Sequence, residues 1–296
     1  MLTGESKKFR YRYKWVAYLM ILPALAMLAI FVFTPLVMSI IRSFLDSTTG
    51  EFRGFFNFHY ILSDSVFLKS LLNVFVMSTI TTVLIVVTGF LFANVLVELN
   101  KMISGVVKVF IFLPYLLSGI VTSIIFLLML NYGGGLFTSI LYSLGKPAIS
   151  FATEGLWPYV WIIIPSWWMG FGYNTLVLYA GLLNVPRSYY EAAELDGANA
   201  FMRMLFITIP NMKNYFVLLL INLTAGGLQM FEVPLMITQG GPTNKTTTPV
   251  LFLVNNFKGD KPQNAILAGA LMMMIVIALV NFFVFKIVRS EKSQDA

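Results

Sequence analysis

The feature that most constrains this chain is a series of six long, nearly uninterrupted apolar runs. The hydrocarbon core of a bilayer is about 30 Å thick, so a helix that crosses it needs roughly 20 apolar residues. Each run reaches that length. The sequence therefore predicts an all-α integral membrane protein, a polytopic bundle of about six transmembrane helices at residues 15–41, 71–97, 106–130, 157–183, 215–237 and 265–288.

The composition agrees with a chain surrounded by lipid. Hydrophobic residues make up 58% of the sequence and charged residues 11%, whereas about 25% of a soluble domain is charged. The chain has no cysteine, which excludes disulfides, thiol catalysis and thiolate-held metals. A net charge of +7 would suit nucleic acid, but Lys and Arg fall between the apolar runs. We therefore interpret the positive net charge as a signal of how the chain is oriented in the membrane, and we expect no nucleic-acid partner.

The placement of Lys and Arg also predicts the orientation. Basic residues gather in an N-terminal segment, 1–14, in a long loop, 184–214, and around a C-terminal tail, 289–296. With these segments in the cytoplasm, most of the 20 Lys and Arg residues lie inside. An even number of spans also requires both termini on one side. The first run is too long for a signal peptide, so we expect it to be retained in the membrane domain, 15–288.

Residues for energy-converting chemistry are scarce. The sequence has no G-x-x-x-x-G-K-[ST] phosphate loop, which excludes ATP hydrolysis by that route. His59 is the only histidine, so a histidine zinc cluster and a Ser-His-Asp triad are excluded. Few acidic residues lie within the runs, and Glu232 is the clearest, which argues against a proton-driven pump. We expect a transport subunit with no catalytic residue, metal or cofactor of its own.

The loop at 184–214 is the most informative segment. Pro186 suits the start of a helix, and Asp196-Gly197 is a turn signal that separates two helical stretches, the second at about 199–209. Pro210 marks a break before the next run. The apolar positions of this helix–turn–helix either fill a groove on another protein or pack against the chain's own bundle.

This segment resembles the EAA motif of ABC importer permeases. The motif residues present in register are Glu191, Ala192, Ala193, Asp196, Gly197, Ala198, Ile207 and Pro210. The family usually has leucine just before the proline, where this chain has Ile209. The resemblance implies a type I ABC importer permease fold in a bacterial-type cytoplasmic membrane. It also implies that the loop docks on separate ABC ATPase subunits, which bind the ATP and Mg.

Two further segments resemble the carbohydrate-uptake permeases of maltose- and glycerol-phosphate-type systems. Residues 22–44 resemble their first core helix, and residues 231–249 contain their T-x-G-G-P loop, here Thr238 to Pro242. This resemblance implies import of a sugar or oligosaccharide. It also implies two partners, an extracellular solute-binding protein and a second, homologous permease subunit in a heterodimer.

A sugar pathway needs hydroxyl partners and stacking faces near the bilayer midplane. Polar side chains within the runs are the candidates, because such groups are costly when they face lipid. They are Asn222, Gln229 and Glu232 in the fifth run, and Asn174, Tyr173 and Trp168 in the fourth. The alternative is that each forms an interhelical hydrogen bond that only holds the bundle together.

Three other functions remain open at this point. The chain could import a non-sugar solute such as a polyol phosphate through the same kind of ABC system. It could be a stand-alone secondary transporter or channel, which the EAA register disfavours. It could also be a membrane scaffold or intramembrane enzyme, although no paired intramembrane catalytic residues are evident.

Overall fold

The computed structural model describes residues 14–147 and 155–289. Most of the predicted basic segment and of the C-terminal tail therefore lies outside the described residues. The helices in the described ranges are α1 Lys14–Leu28, α2 Thr34–Ser43, α3 Phe56–Leu62, α4 Ser65–Glu98, α5 Lys101–Phe112, α6 Gly119–Met129, α7 Leu136–Ser143, α8 Trp157–Leu183, α9 Arg187–Leu195, α10 Ala200–Arg203, α11 Ile209–Asn211, α12 Lys213–Leu228, α13 Glu232–Ile237, α14 Pro249–Phe257 and α15 Gln263–Arg289.

The all-α prediction is confirmed within the described residues, where the only β pairing is an isolated bridge between Leu45 and Phe52. The helices form two compact units. Of the described residues, one unit contains 14–61 together with Phe257–Met272, and the other contains 62–147, 155–256 and 273–289. The candidate sites described below all lie in the second unit.

Four helical segments are long and apolar enough to cross a membrane, or five if a bent pair counts as one span. The four match the predicted first, second, fifth and sixth runs, and the bent pair matches the third. The fourth run is the 27-residue helix α8, which is long enough but less apolar because of its Trp, Tyr and Pro residues. The number of six spans therefore stays a prediction.

Two of the predicted spans are broken rather than continuous. In the third, α5 continues as a 3₁₀ turn at Leu113–Leu116, and α6 then begins after Ser118 at an angle of 98°. Pro114 lacks a backbone N–H and favours such a break, while the hydroxyl of Ser118 accepts a bond from the Val121 N–H at 3.2 Å and starts the new helix. In the fifth, residues 229–231 separate α12 from α13.

Helix α8 lies at the centre of the second unit and packs against α4, α5, α6, α12 and α13. At Gly172 it approaches α5 closely. A Cβ atom added at Gly172 would overlap the backbone carbonyl of Ile111. Only glycine allows the two backbones to approach this closely, as in the small-residue crossings of membrane helices. Because α8 is surrounded by other helices, it can carry polar residues that a lipid-facing helix could not.

In the first unit, α1 and α2 are joined by a π-helical turn at Ala29–Phe33. None of the residues in the apolar window of this span is buried. A short hairpin follows, in which the Asp46 carboxylate accepts bonds from the Thr48 hydroxyl at 2.6 Å and from the Thr49 N–H at 2.9 Å. These bonds, together with the Arg53 guanidinium 2.9 Å away, hold the pKa of Asp46 well below its usual range.

Candidate functional site

The first candidate site is the helix–turn–helix at 184–214, which we call the EAA loop. Helix α9 begins after Pro186, and its end is closed by two backbone bonds: the Gly197 N–H donates to Glu194 at 3.0 Å and the Ala198 N–H to Ala193 at 2.9 Å. This pair of bonds defines a Schellman motif, which needs a left-handed residue just past the helix end. Gly197 supplies it with φ of 79°.

The second half of the EAA loop differs from the prediction in one detail. Asn199 caps α10 by accepting a bond from the Met202 N–H at 2.9 Å, and a π-helical turn at Met204–Thr208 follows. Pro210 lies inside the short helix α11, and the chain breaks two residues later, at Met212. The proline sits near the start of that helix, where a missing N–H is tolerated.

Two side-chain links join the halves of the EAA loop. Glu194 on α9 forms an ion pair with Arg203 on α10. The hydroxyls of Tyr190 and Thr208 form a hydrogen bond of 2.9 Å, and Thr208 is buried. We expect the two helices to move together as one piece because these links and the Schellman motif connect them.

The EAA loop is packed at its base and uncovered at its tip. Its base residues Tyr190, Met204, Ile207 and Ile209 pack on a buried cluster that contains Phe90, Leu178, Met212 and Leu219. At the tip, Leu195 is 91% exposed and Phe201 is 65% exposed. The base of the loop therefore packs on the chain's own bundle, as one of the two alternatives expected. The apolar side chains at the tip are uncovered, and their contact with another protein stays a prediction.

A cavity of about 560 Å³ lies between the EAA loop and the end of α4. Glu98 of α4 faces it, as do Arg187, Glu191, Glu194 and Arg203 from the loop. Glu191, the first residue of the motif, is therefore at once exposed and close to the bundle. A change in the position of α9 would alter this charged contact with α4.

The second candidate site is a cavity of about 540 Å³ inside the second unit, which we call the bundle cavity. It brings together the three side chains predicted in the fifth run, Asn222, Gln229 and Glu232. The Gln229 amide donates to the Ala225 carbonyl at 3.0 Å, so its amide oxygen remains available as an acceptor. All three side chains are exposed in the isolated chain.

The three residues predicted in the fourth run lie outside the lining of the bundle cavity. Asn174 is 4% exposed and donates to the Gly170 carbonyl of its own helix at 2.7 Å. Trp168 packs edge-on against Phe126, with ring centroids 5.7 Å apart. Tyr173 stacks at 4.6 Å on Tyr115, which does line the cavity. In the structure these three side chains bond within α8 or pack against neighbouring aromatic rings, and their place in the substrate pathway stays a prediction.

The sequence reasoning missed a row of hydroxyl groups on α4. Ser78, Thr81 and Thr82 line the bundle cavity, facing Gln229 and its neighbours. The signal was present, because residues three and four apart share one face of a helix, and a polar face in an otherwise apolar helix indicates an interior surface.

The two helix breaks meet at the bundle cavity. Helix α13 packs against α6, and the Glu232 carboxylate lies where a Cβ of Gly119 would be. Gly119 is the first residue of α6. A carboxylate at a helix N-terminus is favourable because unpaired N–H groups point toward it. Glu232 therefore connects α13, the outer part of the fifth apolar run, with α6, the second part of the third apolar run.

The comparison with known families gives a clear result. Residues 85–292 match the family model described as binding-protein-dependent transport system inner membrane component. This chain belongs to that family. The family assignment confirms the predicted class, an inner-membrane permease of a binding-protein-dependent importer, and makes the scaffold and intramembrane-enzyme alternatives wrong.

Several curated relatives resemble this permease along nearly its whole length. The lactose transport system permease protein LacF of Rhizobium radiobacter is 30% identical over 98% of this chain and 99% of its own. The trehalose/maltose transport system permease protein MalF of Thermococcus litoralis is 31% identical over 88% of this chain and 90% of its own. The sn-glycerol-3-phosphate transport system permease protein UgpA of Escherichia coli O157:H7 is 29% identical, over 94% and 96%.

The fold of the permease is also found in solved structures. A bacterial ABC transporter involved in the import of the acidic polysaccharide alginate contains a chain that superposes with a TM-score of 0.84, covering 97% of this permease and 99% of that chain at 20% identity. At this identity the likeness shows the fold, which confirms the predicted ABC importer permease fold.

Proposed function

We propose that this permease forms half of the pore of an ATP-driven importer for a sugar or oligosaccharide. The observation that carries the proposal is the EAA loop, whose rigid turn presents uncovered apolar side chains at its tip, with Leu195 91% exposed. An apolar tip next to carboxylates fits the groove of a partner protein. The partner we propose is an ABC ATPase, which binds the ATP and Mg.

Movement of the EAA loop has a direct route into the bundle. The base of the loop packs on Phe90 of α4 and Leu178 of α8, and these two helices form the centre of the second unit. Closure of the ATPases would therefore displace α4 and α8 together with the loop. The free energy of ATP acts through contacts that differ between inward- and outward-facing states.

The bundle cavity supports a solute with many hydroxyl groups. It combines amide side chains, Asn222 and Gln229, with the hydroxyls of α4 and the aromatic rings of Tyr115 and Phe231. Hydrogen-bonding groups and stacking faces are both needed to bind a sugar ring. The names of LacF and MalF favour a sugar, whereas that of UgpA keeps a polyol phosphate as the second candidate.

The first span supports a second permease subunit. Its apolar window, within Tyr18–Ser43, contains no buried residue, so this helix is free to pack on another protein as well as on lipid. We propose a heterodimeric pore with both termini in the cytoplasm and an extracellular binding protein on the opposite side. The basic residues near the termini and in the EAA loop favour this orientation.

Cysteine cross-linking tests the ATPase contact and the orientation together. The chain has no cysteine, so Ala192→Cys supplies a single reactive thiol in the EAA loop, and Lys146→Cys supplies a matched control in an exposed loop on the predicted outer side. We expect Ala192→Cys to cross-link to the co-purified ATPase, and Lys146→Cys to react with an impermeant thiol reagent from outside. The proposal is contradicted if both variants cross-link to the ATPase to the same extent, or if neither variant cross-links to it.

A further inference from the structure

The charge of the bundle cavity separates the two candidate substrates, because only one of them is an anion. Among the described residues that line this cavity, Glu232 is the only charged side chain. No Lys or Arg accompanies it there. A cavity that accepts a phosphate ester or a uronic acid normally supplies a cation or several convergent N–H donors.

The position of Glu232 directs its charge into the bundle cavity. The residue is the first of α13, and its side chain is exposed to the cavity rather than enclosed by protein. Its carboxylate lies against Gly119, at the start of α6. The helix break at 229–231 thus brings a negative charge to the place where a solute would pass.

A second observation indicates that the same cavity is built to bind hydroxyl groups. Thr81 is only 7% exposed, and its hydroxyl has no hydrogen-bond partner within the described part of the chain. A buried hydroxyl without a partner costs free energy that a ligand can recover. Thr81 lines the bundle cavity together with Asn222 and Glu232, so a polyhydroxylated solute can pair with its hydroxyl once a local movement uncovers the oxygen, which is buried in the isolated chain.

Resting on the proposed function, we infer that the bundle cavity selects uncharged polyhydroxylated solutes over anions of similar size, and that Glu232 is the specificity-determining residue. The hydroxyl groups of a neutral sugar donate hydrogen bonds to the carboxylate and to the amide oxygens. A phosphate or carboxylate group in the same place meets a like charge, and at partly buried sites this repulsion lowers affinity by about tenfold or more.

Solute protection of a single cysteine measures this selectivity directly. Met169 lines the bundle cavity, so Met169→Cys places a thiol there in a chain without other cysteines. The reagent is N-ethylmaleimide, which is uncharged, and the two solutes are compared within each variant so that the effect of the carboxylate on thiol reactivity cancels. The probes are lactose and its anionic counterpart lactobionate, tested on the full chain in membrane vesicles. We expect lactose to protect the thiol at a concentration about tenfold lower than lactobionate.

Two charge variants and one control test the role of Glu232. In the Met169→Cys background, Glu232→Gln keeps the shape of the side chain, and we expect the preference for lactose to fall to near unity. Gln229→Glu adds a second carboxylate to the lining, and we expect the preference to increase. Asp260→Asn removes a charge from an exposed position in the first unit, and the preference should stay unchanged.

The outcomes distinguish the inference from the function on which it rests. Equal protection by lactose and lactobionate, unaltered by Glu232→Gln, overturns the charge selection while the cavity remains a solute site. If neither lactose nor lactobionate protects the thiol of the Met169→Cys variant, both proposals are overturned. A preference for lactose that Glu232→Gln abolishes and Asp260→Asn leaves intact supports the inference.

Discussion

The backbone N–H of Ala198 donates to the carbonyl of Ala193 at 2.9 Å across the end of α9. This bond spans the interval between the E-A-A and D-G-A parts of the motif, and it explains why their spacing matters. The chain must turn sharply after Leu195, and the turn needs a residue with positive φ between the two alanines, which is Gly197 at 79°.

Replacement of Gly197 by valine should uncouple the loop. A β-branched residue is disfavoured at positive φ by about 1–2 kcal/mol, although no neighbouring atom lies within 4 Å of the added Cβ. We expect solute uptake to fall by about tenfold or more while the chain remains folded. Gly197→Asn is the matched control, because asparagine tolerates this conformation. Equal uptake by the two variants would argue against a structural need for the turn.

Replacement of Gly172 by alanine should destabilise the bundle. The added methyl group overlaps the backbone carbonyl of Ile111, and a backbone cannot move aside as a side chain can. We expect a loss of about 3 kcal/mol, measured by thermal unfolding in detergent. Gly105→Ala on α5 is the control, since nothing lies within 4 Å of its added Cβ, and it should be neutral or slightly stabilising. Similar melting of both variants contradicts the close crossing.

Replacement of Asn73 by leucine should loosen the loop at 238–249, which consists of the T-x-G-G-P residues and the residues that follow them. The Asn73 amide donates to the carbonyls of Asn244 and Thr247, each at 3.0 Å. Loss of both bonds leaves acceptors of this loop unpaired, which costs about 2 kcal/mol. Hydrogen exchange of residues 238–249 should increase. Asn256→Leu serves as the control, because the Asn256 amide donates within its own helix, to Phe252, and the same loop should then exchange as in the parent.

The hairpin after α2 should lose stability in acid. The pKa of Asp46 is lowered in the folded chain by the Thr48 hydroxyl, the Thr48 and Thr49 N–H groups and Arg53. A lowered pKa contributes stability at pH values above the unfolded value of about 3.9, and this contribution is lost as the pH falls from there through the folded value. Hydrogen exchange of residues 46–53, corrected for intrinsic rates, should therefore be constant from pH 7 to about pH 5 and rise below about pH 4. In Asp46→Asn this acid-dependent rise should disappear, and its persistence would assign the effect to another group.

The sequence predicted the elements whose signals are local. The bounds of α8 and α9 match the predicted 157–183 and the start after Pro186. Apolar length marks a membrane helix, and Pro186 with Asp196-Gly197 marks the ends of a short one. The family motif then added the partner, which no local signal contains.

The breaks and the cavity were harder to predict because they depend on packing. Apolarity continues across the breaks in the third and fifth runs, so a hydropathy argument predicts unbroken helices there, although Pro114 was a usable warning. Which polar side chains share a cavity depends on how the helices are rotated against each other. Asn222 and Glu232 share one, whereas Asn174 turns back onto its own helix.

The most direct test of the whole account measures solute uptake and ATP hydrolysis together, in proteoliposomes that contain this permease with its co-purified partners and binding protein. The account predicts that uptake requires ATP and the ATPase, and that Leu195→Asp at the exposed tip of the EAA loop lowers both activities in parallel by about tenfold or more. Uptake at the full rate in the absence of the ATPase would contradict the account. So would uptake at the full rate by the Leu195→Asp variant when its EAA loop no longer binds the ATPase.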